Sequence, residues 1–486
     1  MSRFECDLYP EQRFRCLCCS FGCCDRFEIP VSPEEARAID ALHIPGAPSF
    51  DDCFRPGIMN AGLVIAKDAQ HHCVFADGRL CAIHKHHGFA AKPLACRIFP
   101  LNIQSWADGR VSAELRFICP SAGSADGKRT GDMLDEIAIY SRQLAGLGGR
   151  NDCIYSHANP APLAAVRSVH GAFRALLHEE EKPLAFRLYA AARILDFHAR
   201  PDMAGAVRTA GESFRSDLRE FVGKAAKELE NELASGRCDA LIRAEFRNLI
   251  CAYLRDDDPF DRSAAKRLRR GWRHFRAYSG FGLMSELNAE APNCSMRGLP
   301  EAAHGLSCEP AALDPFRQFF YGNLDSMHFC GSRIHNFDYE TGFAHLLLSV
   351  PVAFTLASAY ALAAGKDVIG REAMQRTIRL LDLTFGRSPF FRMRVARRWI
   401  RHLARPVCRA AEHTAVSVLL EYRGIRPVQS GRESSRGTFS RSVLRSRGGR
   451  ARPRCRGRSG CGSAARRPDG ISEPLRAGCR RRTSSA

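Results

Sequence analysis

The sequence lacks several signals that assign a protein to a functional class. Its first residues, MSRFECDLYPEQRFRC, contain no apolar run long enough for the core of a signal peptide, so export by that route is not expected. No Gly-rich turn with nucleotide-binding spacing follows a predicted strand, since AGLGGRND follows a helical pattern. No carboxylate pair and no Ser/His/Asp arrangement stands out, so hydrolase chemistry is unsupported. We expect a cytoplasmic protein.

Lysine is absent from the C-terminal tail, although this tail carries most of the positive charge. Residues 432–486 contain 16 arginines and three acidic residues, a net charge of +13 out of +20 for the whole chain. The other residues are mostly Ser, Gly, Pro and Ala, which cannot form a core and predict disorder over 425–486. One interpretation is an arginine-rich arm for nucleic acid, and the other is an out-of-frame readthrough of GC-rich coding DNA. Elsewhere in the chain, nucleic-acid binding is not expected.

Long apolar runs are also scarce. The exception, LLLSVPVAFTLASAYALAA at residues 346–364, has 19 residues without a charge and is long enough to cross a bilayer. It contains Pro351 and several small or hydroxylated residues, which favours a buried central helix over membrane contact. Membrane association is therefore not expected.

Cysteine, in contrast, is abundant, and its distribution is uneven. The chain has 21 cysteines, of which 12 precede residue 154, and FRCLCCSFGCCDRF at residues 14–27 holds five of them. In a reducing compartment, clustered cysteines are more often metal ligands than disulfides. Cys16, Cys19, Cys23 and Cys24 form C-x2-C-x3-C-C, in which the two-residue gap lets a tight turn aim two thiolates at one ion. This stretch is not expected to complete a site alone.

Further candidate ligands follow downstream in loop-like contexts. Cys73, Cys81 and Cys96 lie in CVFADGRLCAIHKHHGFAAKPLACRIFP, and Cys119 precedes Pro120. The eight cysteines are enough for one four-cysteine cluster with spares or for two closed sites. Both iron–sulfur clusters and zinc accept all-thiolate ligation, with a slight preference here for iron–sulfur. Structural disulfides or inert thiols are the alternatives.

Some residues near these motifs are weaker candidates. Cys18 and His84 are possible additional ligands, although a histidine beside a cysteine site is more often an outer-shell or solvated residue. Cys6, Cys53 and Cys153 lack matching spacing and are predicted to be ordinary thiols.

Composition changes at about residue 155. Residues 1–155 are rich in Cys, His, Gly and Pro, which predicts a loop-rich domain held by something other than a large core. Its clear helix start is VSPEEARAI, with Ser32 as N-cap, Pro33 as first helical residue and Glu35 as partner in a capping box. Residues 156–424 show long helical periodicity. The expected fold class is mostly α: a small loop-rich cysteine-cluster domain, an α-helical domain and a disordered tail.

Two basic stretches in the helical part interleave arginine with aromatic residues. KRLRRGWRHFRAY lies at 266–278 and RMRVARRWIRHLAR at 392–405. Such a composition suits phosphate contact with base stacking. We instead favour the solvated face of an amphipathic helix whose aromatic residues point inward.

The order of these motifs resembles a known family. C-x2-C-x3-CC, VSPEEARAI, C-x-F-x-D-G-x-L-C-A-I-H, KPLACRIFP and ICP, within about residues 14–125, are similar to the YkgJ-type cysteine-cluster proteins, which are described as zinc- or iron-chelating domains. They also resemble the related flagellin lysine-N-methylases, although the first two cysteines are more closely spaced here. The resemblance implies that the cluster ligands are the following residues: Cys16, Cys19, Cys23, Cys24, Cys73, Cys81, Cys96 and Cys119.

Two functions follow from the residues and the resemblance. The first is a protein that binds an iron–sulfur cluster, or a zinc or iron ion, through its N-terminal domain. The alternative is an S-adenosylmethionine-dependent lysine N-methylase that acts on a protein substrate such as flagellin, whose amine must be deprotonated to attack the methyl group. The sequence leaves open the identity of the metal, the number of sites, the catalytic residues and the oligomeric state.

Overall fold

A computed structural model describes most of the chain up to residue 414. The described residues are 4–16, 29–57, 62–68, 72–78, 80–145, 150–182, 184–198, 240–255, 263–297, 306–331, 337–384 and 393–414. Helices predominate over small sheets in these ranges, so the expectation of a mostly α fold is confirmed. The predicted tail over 425–486 lies outside the described residues, and the predicted domain boundaries stay predictions.

The first 145 residues contain short elements of both kinds. In chain order these are β1 (Cys6–Asp7), β2 (Arg13–Phe14), β3 (Pro30–Val31), α1 (Pro33–Asp40), α2 (Phe50–Cys53), β4 (Phe54–Pro56), β5 (Leu63–Ile65), β6 (Ala76–Asp77), β7 (Leu80–Cys81), α3 (Ala82–His87), α4 (Leu94–Ile98), β8 (Leu101–Ser105), β9 (Val111–Leu115), β10 (Lys128–Arg129) and α5 (Leu134–Ala145). The strands form two three-stranded sheets, ordered β1-β9-β8 and β3-β5-β4, and two pairs, β10-β2 and β6-β7.

Longer helices make up the rest. They are α6 (Leu163–His178), α7 (Leu184–His198), α8 (Ala240–Leu254), α9 (Ala264–Tyr278), α10 (Pro310–Ser326), α11 (Tyr339–Ala363), α12 (Arg371–Thr384) and α13 (Arg394–Thr414). Two short strands, β11 (Ser307–Cys308) and β12 (Val368–Ile369), pair in parallel beside them.

Helix α1 begins at the predicted capping box. The Ser32 side chain accepts a hydrogen bond from the Glu35 amide at 3.1 Å, and Oε2 of Glu35 accepts one from the Ser32 amide at 3.0 Å. Pro33 is the first helical residue, as expected. Oε1 of the same carboxylate accepts a hydrogen bond from the Leu94 amide at 2.7 Å. One side chain therefore satisfies backbone donors at the starts of both α1 and α4.

Helix α11 is the centre of the helical part. It packs against α7, α10, α12 and α13, and nearly all of its side chains are buried. It is long and apolar enough to cross a membrane by length and composition, but 89% of its most apolar window is buried inside the protein. The prediction of a buried central helix is confirmed, since neighbouring helices cover the uncharged run on all sides.

The hydrophobic core consists of two separate clusters. The large core takes side chains from both sides of residue 155, such as Trp106 of the β8–β9 connection and Phe343 of α11. The small core is built from twelve buried side chains, and its members are Ile29, Val31, Ala36, Ile39, Ile44, Cys53, Phe54, Ile65, Cys73, Phe75, Ala82 and Ile83. Helix α4 lies between the two, because Leu94 and Ile98 belong to the large core while Cys96 packs against the small one.

Candidate metal centre

Three of the predicted downstream ligands converge on the small core. Cys73 is one of its buried members, and Cys81 and Cys96 pack against it while remaining half-buried. Cys81 ends strand β7 and begins α3, and Cys96 lies in the short helix α4. Side chains that are 23 residues apart along the chain thus reach one cluster.

Local geometry explains this convergence. The hairpin β6-β7 pairs Ala76 with Cys81 and returns the chain past Cys73, whose carbonyl oxygen accepts a hydrogen bond from the Ala76 amide at 2.8 Å. Gly78 in the turn has φ +58°, a left-handed conformation that favours glycine. The bond from the Leu94 amide to Glu35 holds the start of α4 against α1, which contributes to the same core.

Cys119 lies elsewhere, in the large core. Its Sγ is 3.2 Å from Oγ of Ser121, and its thiol is buried. The loop that carries it meets the chain just before the cysteine-rich stretch, since Phe14 bridges to Ala122. Cys16 follows two residues later and is exposed. The structure therefore brings Cys119 near the entry to this stretch and keeps it out of the small core.

The first described residue after the cysteine-rich stretch, Ile29, belongs to the small core. The Ile65 amide donates a hydrogen bond to the Ile29 carbonyl oxygen at 3.0 Å, and β3 pairs with β5 directly afterwards. Residues 17–28 therefore connect the Cys119 loop to the small core along the chain. The candidate ligands Cys18, Cys19, Cys23 and Cys24 lie in this segment, outside the described residues.

The described part of the chain does not supply a complete ligand set. Within it, no three His, Cys, Asp or Glu side chains are placed to hold one metal ion. His84 lies on α3, where its ring meets the Phe89 ring edge-on at 5.8 Å. Cys73, Cys81 and Cys96 share one core but are not placed as a ligand group, so a thiolate site here requires them to come closer together and thiolates from residues 17–28 to join them.

Two of the cysteines predicted to be ordinary thiols, Cys6 and Cys53, are disfavoured as thiolates. Burial raises the pKa of Cys6 to about 12, and the neighbouring Asp7 carboxylate acts in the same direction. Burial also raises the pKa of Cys53, with smaller contributions from Asp40 and Asp52. Because the thiolate is the form that binds metal, both residues are poor ligands as they stand. This agrees with their predicted role.

A buried polar relay was not visible in the sequence. Oε1 of Glu114 is 3.0 Å from Nδ1 of His328, and Nε2 of the same ring is 3.0 Å from Oγ of Ser112. The Trp106 indole N–H donates to that hydroxyl oxygen at 2.8 Å. The connectivity is that of a hydrolase relay, but Ser112 and Trp106 are fully buried and leave the hydroxyl no access to a substrate. The relay instead ties β9 to the loop after α10.

A second ionic cluster lies at the end of α6. The Arg174 guanidinium donates to both oxygens of the buried Asp325 carboxylate, at 2.7 and 3.2 Å. Nε2 of His178 is 2.9 Å from Oδ1 of Asp325, and its ring stacks on Tyr321. These contacts fix α6 against α10. Their residues are 147 and 151 positions apart, so no local motif predicts them.

The two basic helices differ in how they face the core. On α13, Trp399 packs against the large core and donates a hydrogen bond to Glu245 at 2.7 Å, so the predicted inward aromatic is confirmed. On α9 the prediction is wrong, because Trp272 and Phe275 are exposed. Helix α9 packs against α8 through the side that carries His274 and Ala277 and turns its aromatic side away.

In comparisons with known proteins, no family model, no curated protein and no solved structure matches the chain. The resemblance to the cysteine-cluster family stays a prediction from the motifs.

Proposed function

We propose that this chain is a metal-binding cysteine-cluster protein whose N-terminal part holds an iron–sulfur cluster or a zinc or iron ion. The observation that carries the proposal is the placement of three predicted ligands, Cys73, Cys81 and Cys96, in or against one small core. Strand β3 of this core begins at Pro30, two residues after the segment 17–28 that carries Cys18, Cys19, Cys23 and Cys24.

The small core is small enough that a bound metal would add substantially to its stability. Its strands are only two or three residues long, and its buried members number twelve, so apolar burial alone stabilises it weakly. A structural metal site adds the free energy of ligand binding to the free energy of folding. We assign the thiolates of Cys73, Cys81 and Cys96 to the core side of a four-ligand site, completed by one thiolate from Cys19, Cys23 or Cys24.

Cys16 and Cys119 form the other end of the arrangement. Their backbones are held near each other through the Phe14–Ala122 bridge, on the side of the large core. In an arrangement with one four-cysteine cluster these two cysteines are among the spares. In an arrangement with two closed sites they belong to the second site, together with two thiolates from the cysteine-rich stretch. Substitution of either Cys16 or Cys119 distinguishes the two arrangements. The protein is expected to lose metal only in the arrangement with two sites.

Metal analysis of matched variants tests the proposal. The full chain is purified without air, and Fe, Zn and acid-labile sulfide are measured. Cys73→Ser, Cys81→Ser and Cys96→Ser are expected to lose most of the metal. Cys53→Ser, which removes another buried thiol of the same core, is expected to keep it. Zinc without sulfide would exclude the iron–sulfur form. A folded protein without metal, or equal loss in Cys53→Ser, would overturn the proposal.

The methylase function is tested on the same preparation. Titration with S-adenosylmethionine is followed by calorimetry and by visible absorption. Binding that changes the absorption of the metal centre supports the alternative that the motifs imply. Absence of binding by a metal-loaded protein would count against methyl transfer and leave metal binding intact.

A further inference from the structure

Helix α9 presents an apolar stripe to solvent. Leu268, Trp272 and Phe275 are 78%, 59% and 56% exposed, and the two aromatic rings stack on each other at 5.7 Å. Their spacing of four and three residues puts them on one face of the helix. Past the helix end, Phe281 is also exposed, at 70%. Such a stripe normally faces a protein core, so its exposure marks a surface that something covers.

The orientation of α9 is fixed by contacts on its opposite side. Ala277 is buried in the large core, and Tyr278 packs against that core. Nε2 of His274 is 3.4 Å from Oδ1 of Asn248 on α8. These contacts use the side that carries Arg270, His274 and Ala277. The helix is therefore amphipathic with its apolar face turned outward.

The charge of α9 identifies the kind of partner. Its 15 residues contain no acidic side chain, and the exposed arginines beside the stripe are Arg267 on one side and Arg269 and Arg273 on the other. A partner must therefore offer apolar surface to the stripe and negative charge on both sides of it. An anionic lipid surface combines these properties, with acyl chains below a layer of phosphates.

We propose that α9 docks this protein on an anionic membrane surface. In the docked state Leu268, Trp272 and Phe275 enter the boundary between headgroups and acyl chains, while the flanking arginines contact lipid phosphates. Single-stranded nucleic acid also binds arginine and aromatic side chains, through phosphate contact and base stacking. Leu268 favours the lipid over the nucleic acid. It is the most exposed member of the stripe, and its aliphatic side chain can insert among acyl chains but has no ring on which a base could stack.

Intrinsic fluorescence gives a direct test on the full chain. Of the three tryptophans, Trp106 is fully buried and Trp399 is packed against the large core, so a change on docking reports Trp272. The probe is vesicles of phosphatidylcholine and phosphatidylserine at about 7:3, compared with phosphatidylcholine alone. We expect a blue shift and co-sedimentation with the anionic vesicles only. The arginine-rich tail attracts the same lipids, but it contains no tryptophan and cannot cause the shift.

Variants separate the apolar and the ionic contributions. Leu268→Ser with Phe275→Ser is expected to weaken binding about tenfold and to abolish the shift. Arg269→Gln with Arg273→Gln is expected to weaken binding about tenfold or more at low salt and less at high salt. Arg394→Gln with Arg398→Gln, which removes two exposed arginines of α13, is the control and is expected to leave the shift unchanged. Circular dichroism verifies that each variant is folded.

Three outcomes would overturn the proposal. One is a shift of equal size with neutral vesicles, and another is a loss of binding in the α13 control that matches the loss in the α9 variant. The third is an absence of any vesicle-induced shift. If a single-stranded oligonucleotide then shifts Trp272, the surface binds nucleic acid. If Leu268→Ser with Phe275→Ser instead lowers the sedimentation coefficient of the protein alone, a second copy covers it.

Discussion

The two hydrophobic cores are built on different physical principles. The large core surrounds a 25-residue helix, α11, with four others, and its largest members are aromatic rings in mutual contact. The small core is assembled from strands of two or three residues, short helices and cysteine side chains. Burial of apolar area is sufficient for the first, whereas the second has the size at which proteins recruit metals or disulfides. Because of this difference, we expect the two cores to respond separately to metal chelation, to truncation of a buried ring, to acid and to loss of the Glu35 cap.

Under the proposed function, removal of the metal is expected to have the largest effect and to be confined to the small core. Incubation of anaerobic protein with a strong chelator should abolish amide protection over the small core, because the thiolates then repel one another and lose their common ion. Amides of α11 should retain their protection. Hydrogen exchange with mass spectrometry measures both regions in one sample. Equal loss of protection in both regions, or no loss in either, would contradict the comparison.

Truncation of a central ring is expected to affect the large core independently of metal. Phe343 is fully buried, with its ring 4.5 Å from that of Phe173 and 5.5 Å from that of Tyr339. Phe343→Ala should lower the free energy of unfolding by about 3–5 kcal/mol. Urea unfolding followed by tryptophan emission measures it, because neither Trp106 nor Trp399 belongs to the small core.

Val395→Ala on the exposed side of α13 is the matched control. It should change the free energy of unfolding by no more than about 0.5 kcal/mol. A loss below about 1 kcal/mol in Phe343→Ala would show that burial is not what holds the large core.

Acid is expected to weaken the large core through one histidine. Burial lowers the pKa of His170 to about 4, from an ordinary value near 6.5. Below pH 6.5, His170 becomes protonated in the unfolded chain but stays neutral in the folded protein. The free energy of unfolding therefore falls as the pH drops toward 4. The loss reaches about 3 kcal/mol near pH 4. Urea unfolding at pH 7 and pH 4.5 measures it.

His170→Gln isolates this contribution, since glutamine does not titrate. The variant should lose less stability than the parent between the two pH values. His402→Gln, at an exposed position of α13, should keep the parent's pH dependence. Identical pH dependence in His170→Gln and the parent would assign the acid sensitivity to other groups.

Loss of the Glu35 carboxylate is expected to have the smallest effect, at the junction of the two cores. Glu35→Ala removes acceptors from the Ser32 and Leu94 amides and should cost about 1–2 kcal/mol. Exchange of the Leu94 amide should accelerate. Glu34→Ala, at the exposed neighbouring position, is the control and should leave that exchange unchanged. Unchanged exchange in Glu35→Ala would mean that α4 is held by its apolar side chains alone.

Local patterns in the sequence predicted local features of the structure. The capping box at Ser32 and Glu35 specifies a helix start because both hydrogen bonds join residues three apart. The uncharged run within α11 predicted burial because Pro351 and its small or hydroxylated residues suit the packed interior of a protein better than lipid. The second bond of Glu35, to Leu94, is 59 positions away and has no such signal.

Features that depend on distant contacts could not be predicted. Ser112 and His328 are 216 positions apart, and neither lies in a pattern that indicates the other. On α9 the prediction that the aromatic residues point inward is wrong, because arginine stems and alanine can pack against a core as well as rings do. Among the predicted ligands, spacing did not separate Cys119 from Cys73, although they belong to different cores.

The dual role of Glu35 has a consequence for the order of events during metal capture. Cys96 lies two residues after Leu94, whose amide is held by this carboxylate. One thiol is thereby kept near the small core by backbone hydrogen bonding, before any ion arrives. A ligand held in advance lowers the entropy lost when the remaining ligands close around the ion. Under the proposed function, Glu35 therefore bears on how tightly the protein binds metal as well as on how firmly the two helices are joined.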